Sequence, residues 1–178
     1  MKPTGITVHY TADRDAARTV RSLVSSGLGY HFLIGRDGTI FQLADTSLGL
    51  SHAGKAIWNG ASPNRSHVAI SMLSWGKLVE LAKGAYVSWN GLAIKPNEIS
   101  NKDGHFWDFC PLPQEASLVA LLIALCFDAK INPANICGHS ECAIPSGRKA
   151  DPGGVLSHTM DELRGIVVSA TEEKGMEV

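Results

Sequence analysis

The chain has 178 residues, of which 44% are hydrophobic and 19% charged, with a formal net charge of −1. That length and composition fit one domain able to bury a sizeable core. A near-neutral chain with no Lys/Arg stripe argues against nucleic-acid binding. The longest apolar stretch, residues 116–127, is shorter than the roughly 20 residues a bilayer-spanning helix needs, so no membrane insertion is expected.

The first residues hold no charged segment followed by an apolar run, so no secretory signal is visible and a cytoplasmic location is expected. The four cysteines, Cys110, Cys126, Cys137 and Cys142, show no C-x-x-C spacing. They read as reduced, mostly buried thiols.

In chain order, Ile6-Thr7-Val8-His9 reads as a short buried strand. A helix is predicted over 13–23, with Asp13 as its cap and Ala17, Val20, Leu23 and Val24 on one apolar face. Strands at 30–34 and 39–43 flank Gly35-Arg36-Asp37-Gly38, a hairpin signal because Asp-Gly tolerates positive φ. Residues 48–64, without a period and rich in Gly, Ser, His and Asn, read as a surface loop. A buried strand follows at 68–73. Residues 76–113 are the least regular part, with a hairpin around Lys83-Gly84, a second turn at Asn90-Gly91 and an aromatic content read as a satellite core in preference to a glycan-stacking wall.

Pro113-Gln114-Glu115 opens a helix to about Lys130, with Leu118, Leu121, Leu122 and Leu125 at helical spacing. Ile136-Cys137-Gly138-His139 reads as a last strand, residues 156–168 as a closing helix, and the polar tail after Ala170 as frayed. Strands interleaved with helices define an α/β domain, a mixed sheet of five or six strands flanked by helices, over residues 1–170 with a polar tail at 171–178.

Chemistry concentrates at three points. His9 and His139 each close a predicted strand, and Asp151 sits in a stiff turn before Pro152-Gly153. A lone histidine at a strand end is more often a locally bonded side chain than a ligand. Two histidines and an aspartate together suit an open zinc site, which takes three protein ligands and leaves a fourth position free. Lys149 is either a solvated loop lysine or a cation placed to stabilise a developing oxyanion. Tyr30 either packs or points a phenol into the site.

Val8-His9-Tyr10-Thr11, the Gly29–Ile40 run containing Tyr30-His31-Phe32-Leu33-Ile34 and Asp37-Gly38-Thr39, Ser51-His52-Ala53-Gly54, Gly138-His139-Ser140-Glu141 and Arg148-Lys149-Ala150-Asp151-Pro152-Gly153 occur in that order. This series resembles the type 2, zinc-dependent N-acetylmuramoyl-L-alanine amidases, from His9 to Gly153. The resemblance implies His9, His139 and Asp151 as zinc ligands, Lys149 as the oxyanion-stabilising lysine and Tyr30 as a catalytic tyrosine. The implied reaction is hydrolysis of the amide joining N-acetylmuramic acid to L-alanine.

His52 and Trp58, in the loop expected to overhang the groove, are substrate-contact candidates. His31 is expected to face away from the site, and His67, His105 and His158 to be structural. One departure stands out. Where the muropeptide-recycling branch usually carries a general-base glutamate, this chain has Ser71. Glu141 is expected in an ion pair with Arg148 beside the site. Ser71 favours a phage-type endolysin, held in the host cytoplasm until released to the wall, over a cytoplasmic recycling amidase. A non-catalytic peptidoglycan-binding module is a further alternative, disfavoured because all three ligands are present. The partner expected is peptidoglycan or a muropeptide, bound by a monomer.

Overall fold

The structure, a computed structural model, describes residues 1–175. Its elements are β1 (Gly5–Tyr10), α1 (Ala16–Ser26), β2 (Phe32–Ile34), β3 (Ile40–Gln42), α2 (Pro63–Ser66), β4 (His67–Met72), β5 (Val79–Ala82), β6 (Ala85–Val87), β7 (Ile99–Lys102), β8 (His105–Asp108), α3 (Leu112–Ala129), β9 (Ile136–Gly138), α4 (His139–Cys142) and α5 (Met160–Glu173).

Five strands form one mixed sheet in the order β3-β2-β4-β1-β9. β1 pairs in parallel with β4 and β9, and β2 in parallel with β4, while β3 returns antiparallel as the edge. β1 and β4 are buried almost throughout, which explains why both read as near-continuous apolar runs. Along β1 the side chains alternate. Ile6 and Val8 join Leu118, Leu122 and Cys126 of α3 and Leu163 and Val167 of α5 in the main core. Thr7 and His9 therefore point to the opposite face, beside Ser71, which is the register partner of His9.

α3 is long and apolar enough, by length and composition, to cross a membrane. Here it lays one apolar stripe on the sheet, with Leu118, Leu122 and Cys126 fully buried. All four cysteines are free and buried.

Several boundaries differ from the sequence expectation. α1 begins at Ala16 rather than Asp13, because the Asp15 side chain accepts from the Arg18 amide as the cap. Asp13 instead forms an ion pair with Arg18. The closing helix starts at Met160, where Thr159 and Glu162 bond each other's backbone amides as a capping box. It runs to Glu173, and Thr171 is fully buried, so the chain after Ala170 continues the helix rather than fraying. The last three residues of the expected tail lie outside the described residues. A hairpin of β7 and β8, not foreseen as such, occupies part of the aromatic segment.

That segment is tied to the domain by buried charge. Asp108, fully buried, accepts from Arg14 at 2.5 and 3.0 Å, from Arg36 at 3.2 Å, and from the Trp75 amide at 2.6 Å. Its carboxylate is thus compensated from several sides, as a buried charge must be.

Candidate metal centre

The centre sits at the carboxyl-terminal edge of the parallel strands, where open α/β sheets leave a crevice. β1 delivers His9 there. His139 follows β9 directly, but as the first residue of the short helix α4 rather than the last of a strand. Gly138 before it is required by close approach: a Cβ there would lie 2.7 Å from Pro152 Cδ. Asp151 arrives from the loop after α4, whose backbone carbonyl accepts from Ser140 N at 2.8 Å.

The three side chains converge as the sequence pattern required. His9 Nδ1 lies 2.9 Å from Asp151 Oδ2, His139 Nδ1 lies 2.9 Å from the same oxygen, and the two Nδ1 atoms are 3.1 Å apart. All three residues are buried. A tetrahedral ion with bonds of about 2.0–2.1 Å would hold its donors roughly 3.3 Å apart, so this trio needs only a small expansion.

Partners on the far sides of the rings decide which nitrogen faces the centre. His139 Nε2 must donate to the Ala53 carbonyl at 2.9 Å. His52 Nε2 must likewise donate to the Pro63 carbonyl at 3.1 Å, so its Nδ1 is left to accept from His9 Nε2 at 3.0 Å. Both ligand histidines, when neutral, therefore turn an unprotonated Nδ1 toward the Asp151 carboxylate. Burial lowers the pKa of His9 and so favours its neutral form, with Asp151 opposing the shift. The Asp151 carboxyl is penalised by burial, yet the two histidines hold it well below the usual carboxylate range. Three donor atoms within 3.1 Å of one another form a candidate cage for a cation, which would take the place of the protons they otherwise share. The donor set, two imidazoles and one carboxylate, fits zinc.

His52 is only 7% exposed. The sequence placed it on a loop over the groove, but it lies behind His9, with its pKa pushed down to about 2 by burial and by neighbouring His9. Its backbone amide and that of Ala53 both donate to Asn64 Oδ1, at 3.0 and 2.8 Å, which anchors the loop segment supplying His139's acceptor. Trp58 is half-buried and packs on Ala53, Ala56, Cys137 and Cys142. Sequence reasoning missed the positioning role of His52, since only the fold brings it to His9.

The Tyr30 ring sits 5.1 Å from the His9 ring, centroid to centroid. Its phenol is pushed up to about 12 by burial and by the Asp151 charge. The Ser71 hydroxyl faces it and opposes that rise, without reaching the geometry of a formed hydrogen bond. Lys149 is exposed on the rim, near enough for its charge to act on His9.

Glu141 does not pair with Arg148. It accepts from Gly138 N at 2.7 Å and pairs with Arg164 of α5 at 2.9 Å, so the carboxylate closes the first turn of α4 and is turned from the ligands. Arg148 instead donates to the carbonyls of Ala53 and Lys55. His31, fully buried, bonds Leu48 O and Ala69 N, a structural placement as expected.

The family profile described as N-acetylmuramoyl-L-alanine amidase matches residues 1–154. A comparison with curated proteins finds no match. Among solved structures, the amidase AmiD from E. coli, in complex with an anhydro-N-acetylmuramic acid peptide, aligns with a TM-score of 0.68 at 20% identity, over 93% of this chain and 58% of AmiD. AmpDH3 from Pseudomonas aeruginosa, in complex with anhydromuramic pentapeptide, aligns with a TM-score of 0.67 at 23% identity, over 93% of this chain and 60% of that one. The endolysin LysCS from Clostridium intestinale aligns with a TM-score of 0.59 at 19% identity, over 93% and 83%. At these identities the likeness is one of fold. The chain spans less than two thirds of the length of AmiD and AmpDH3.

Proposed function

This chain belongs to the N-acetylmuramoyl-L-alanine amidase family, and from that premise we propose that it hydrolyses the amide between N-acetylmuramic acid and L-alanine in peptidoglycan, using zinc held by His9, His139 and Asp151. The observation that carries the reading is the convergence of three buried donor atoms, His9 Nδ1, His139 Nδ1 and Asp151 Oδ2, within 3.1 Å of one another. Zinc bound there would supply Lewis-acid polarisation of the scissile carbonyl.

The remaining work falls to this chain's own side chains. The Tyr30 phenol, protonated at neutral pH, can only donate there, to the carbonyl oxygen or to the departing amide nitrogen. Lys149 at the rim would stabilise negative charge developing on the carbonyl oxygen, by about 3 kcal/mol on the scale of other oxyanion donors. His52 and Ala53 hold the ligand rings. Ser71, in place of a carboxylate, provides no base at neutral pH and supports an endolysin-type role on intact wall rather than recycling of soluble fragments.

Protein purified without chelator should carry about one zinc per chain and release stem peptides from purified sacculi, with Asp151→Ala inactive. A metal-free protein of full activity would overturn the mechanism. Faster turnover of soluble anhydro-muropeptides than of sacculi would overturn the endolysin assignment while leaving the amidase reading intact.

A further inference from the structure

Residues 52–55, between β3 and α2, form neither helix nor strand, so their backbone groups must find partners elsewhere. Two side chains supply them from opposite sides. Asn64 of α2 takes the first side. Its Oδ1 accepts from the amides of His52 and Ala53, and its Nδ2 donates to Gly54 O at 2.8 Å.

Arg148 takes the second side. Its Nη2 donates to Ala53 O at 2.9 Å and to Lys55 O at 2.8 Å, while its Nε donates to Ile144 O at 3.0 Å. The guanidinium lies against Gly54, where a Cβ would stand 3.6 Å from Nη1. A single exposed contact of an arginine contributes little. Here a planar fork meets three backbone carbonyls at once, and its fixed geometry ties them to one another.

Ala53 O links this clamp to the metal centre. The same oxygen accepts from His139 Nε2 at 2.9 Å. A carbonyl oxygen has two lone pairs, so the imidazole of His139 and the guanidinium of Arg148 occupy both. Ala53 is fully buried and His139 is 4% exposed. Arg148 also stands in the loop that delivers Asp151, three residues before it. Its own amide donates to Pro145 O at 3.2 Å, where that loop begins. One side chain therefore joins the acceptor behind His139 to the segment that carries Asp151.

We propose that Arg148 is a positioning residue of the metal centre: it holds Ala53 O where His139 Nε2 needs its acceptor, and so keeps His139 Nδ1 turned toward His9 and Asp151. The inference rests on the zinc-amidase reading above and deepens it. Without the guanidinium, residues 52–55 are held on the Asn64 side alone. Ala53 O is then free to move, and the His139 ring loses the fixed partner that sets its orientation.

The test uses Arg148→Ala and Arg148→Lys and reads the metal and the ring rather than turnover. Zinc affinity, measured by competition with a chromophoric chelator, should fall about 10-fold in Arg148→Ala, as for other lost partners of a metal ligand. Arg148→Lys keeps the charge but not the fork, and should recover only part of the loss. Arg148 is exposed, so the emptied slot is open to a small cation. Millimolar guanidinium chloride should restore affinity to Arg148→Ala, and equal sodium chloride should not. Restoration also shows that the variant is folded. In the metal-free protein, the His139 Nε2 proton, followed by heteronuclear NMR, should exchange at least about 10-fold faster in Arg148→Ala than in the wild type.

Wild-type zinc affinity in Arg148→Ala overturns the proposal, and so does a weakened affinity that guanidinium fails to restore. Unchanged exchange of the ring proton overturns it as well. A protein that shows the full pattern but releases no stem peptide from sacculi would overturn the amidase reading alone.

Discussion

At the scale of single residues, the centre depends on side chains that never touch a metal. His52 can only accept at Nδ1, because its other nitrogen donates to Pro63 O. That single constraint orients His9. Ala53 O performs the same service for His139. Partners of this kind typically alter metal affinity by about 10–100-fold. His52→Ala should therefore weaken zinc binding by about that factor, measured by competition with a chromophoric chelator. His52→Gln, whose amide can still accept from His9, should recover a substantial part. Equal affinity in wild type and His52→Ala would refute the orienting role. The apolar runs of β1 and β9 marked His9 and His139, the stiff Asp-Pro-Gly turn marked Asp151, and the family resemblance joined the three as candidate ligands. His52 gave no such signal. Its loop has no period, and its contact with His9 spans 43 residues of chain.

At the scale of elements, the hairpin of β7 and β8 braces the loop that carries Asp151. The Trp107 ring lies so close over Gly153 and Gly154 that a Cβ on Gly153 would approach it within 2.7 Å, and one on Gly154 closer still. Ser100 donates to Gly154 O at 2.7 Å, and Lys102 to Leu156 O and Ser157 O at 2.6 Å each. The glycines are thus demanded by close packing rather than by turn geometry alone. Trp107→Ala removes a ring only 5% exposed and should cost about 3–5 kcal/mol in urea unfolding, as for other buried aromatic truncations. It should also weaken zinc binding, since the Asp151 loop loses its support. Wild-type zinc affinity in a folded Trp107→Ala protein would show that the brace serves stability only. The sequence showed this segment as a patch of aromatics. It could not show that most of them are inward and Trp89 is outward, because their spacing follows neither helix nor strand period.

For the whole molecule, burial of histidines couples stability to pH. His67 is 3% exposed, with Nδ1 2.9 Å from Thr7 Oγ1, and burial lowers its pKa from 6.5 to about 4. The unfolded chain therefore binds the proton more tightly than the folded one, and stability falls as pH drops from about 6.5 to about 4. The shift corresponds to on the order of 3 kcal/mol. His67→Gln lacks this proton, so the wild-type unfolding free energy should decline relative to the variant's across that window and run parallel to it above pH 7. Parallel profiles down to pH 4 would contradict the assignment.

The sequence by itself determined the α/β class and the central strands, and it singled out His9, His139 and Asp151 as candidate ligands, since strand alternation, apolar runs and turn residues are local properties. Only the tertiary structure decided how that trio is arranged. The ring partners of His9 and His139, the turning of Glu141 toward Arg164 and the brace behind Asp151 all depend on groups far apart in the chain. Their distances exist only once the sheet has closed, and no periodicity records them.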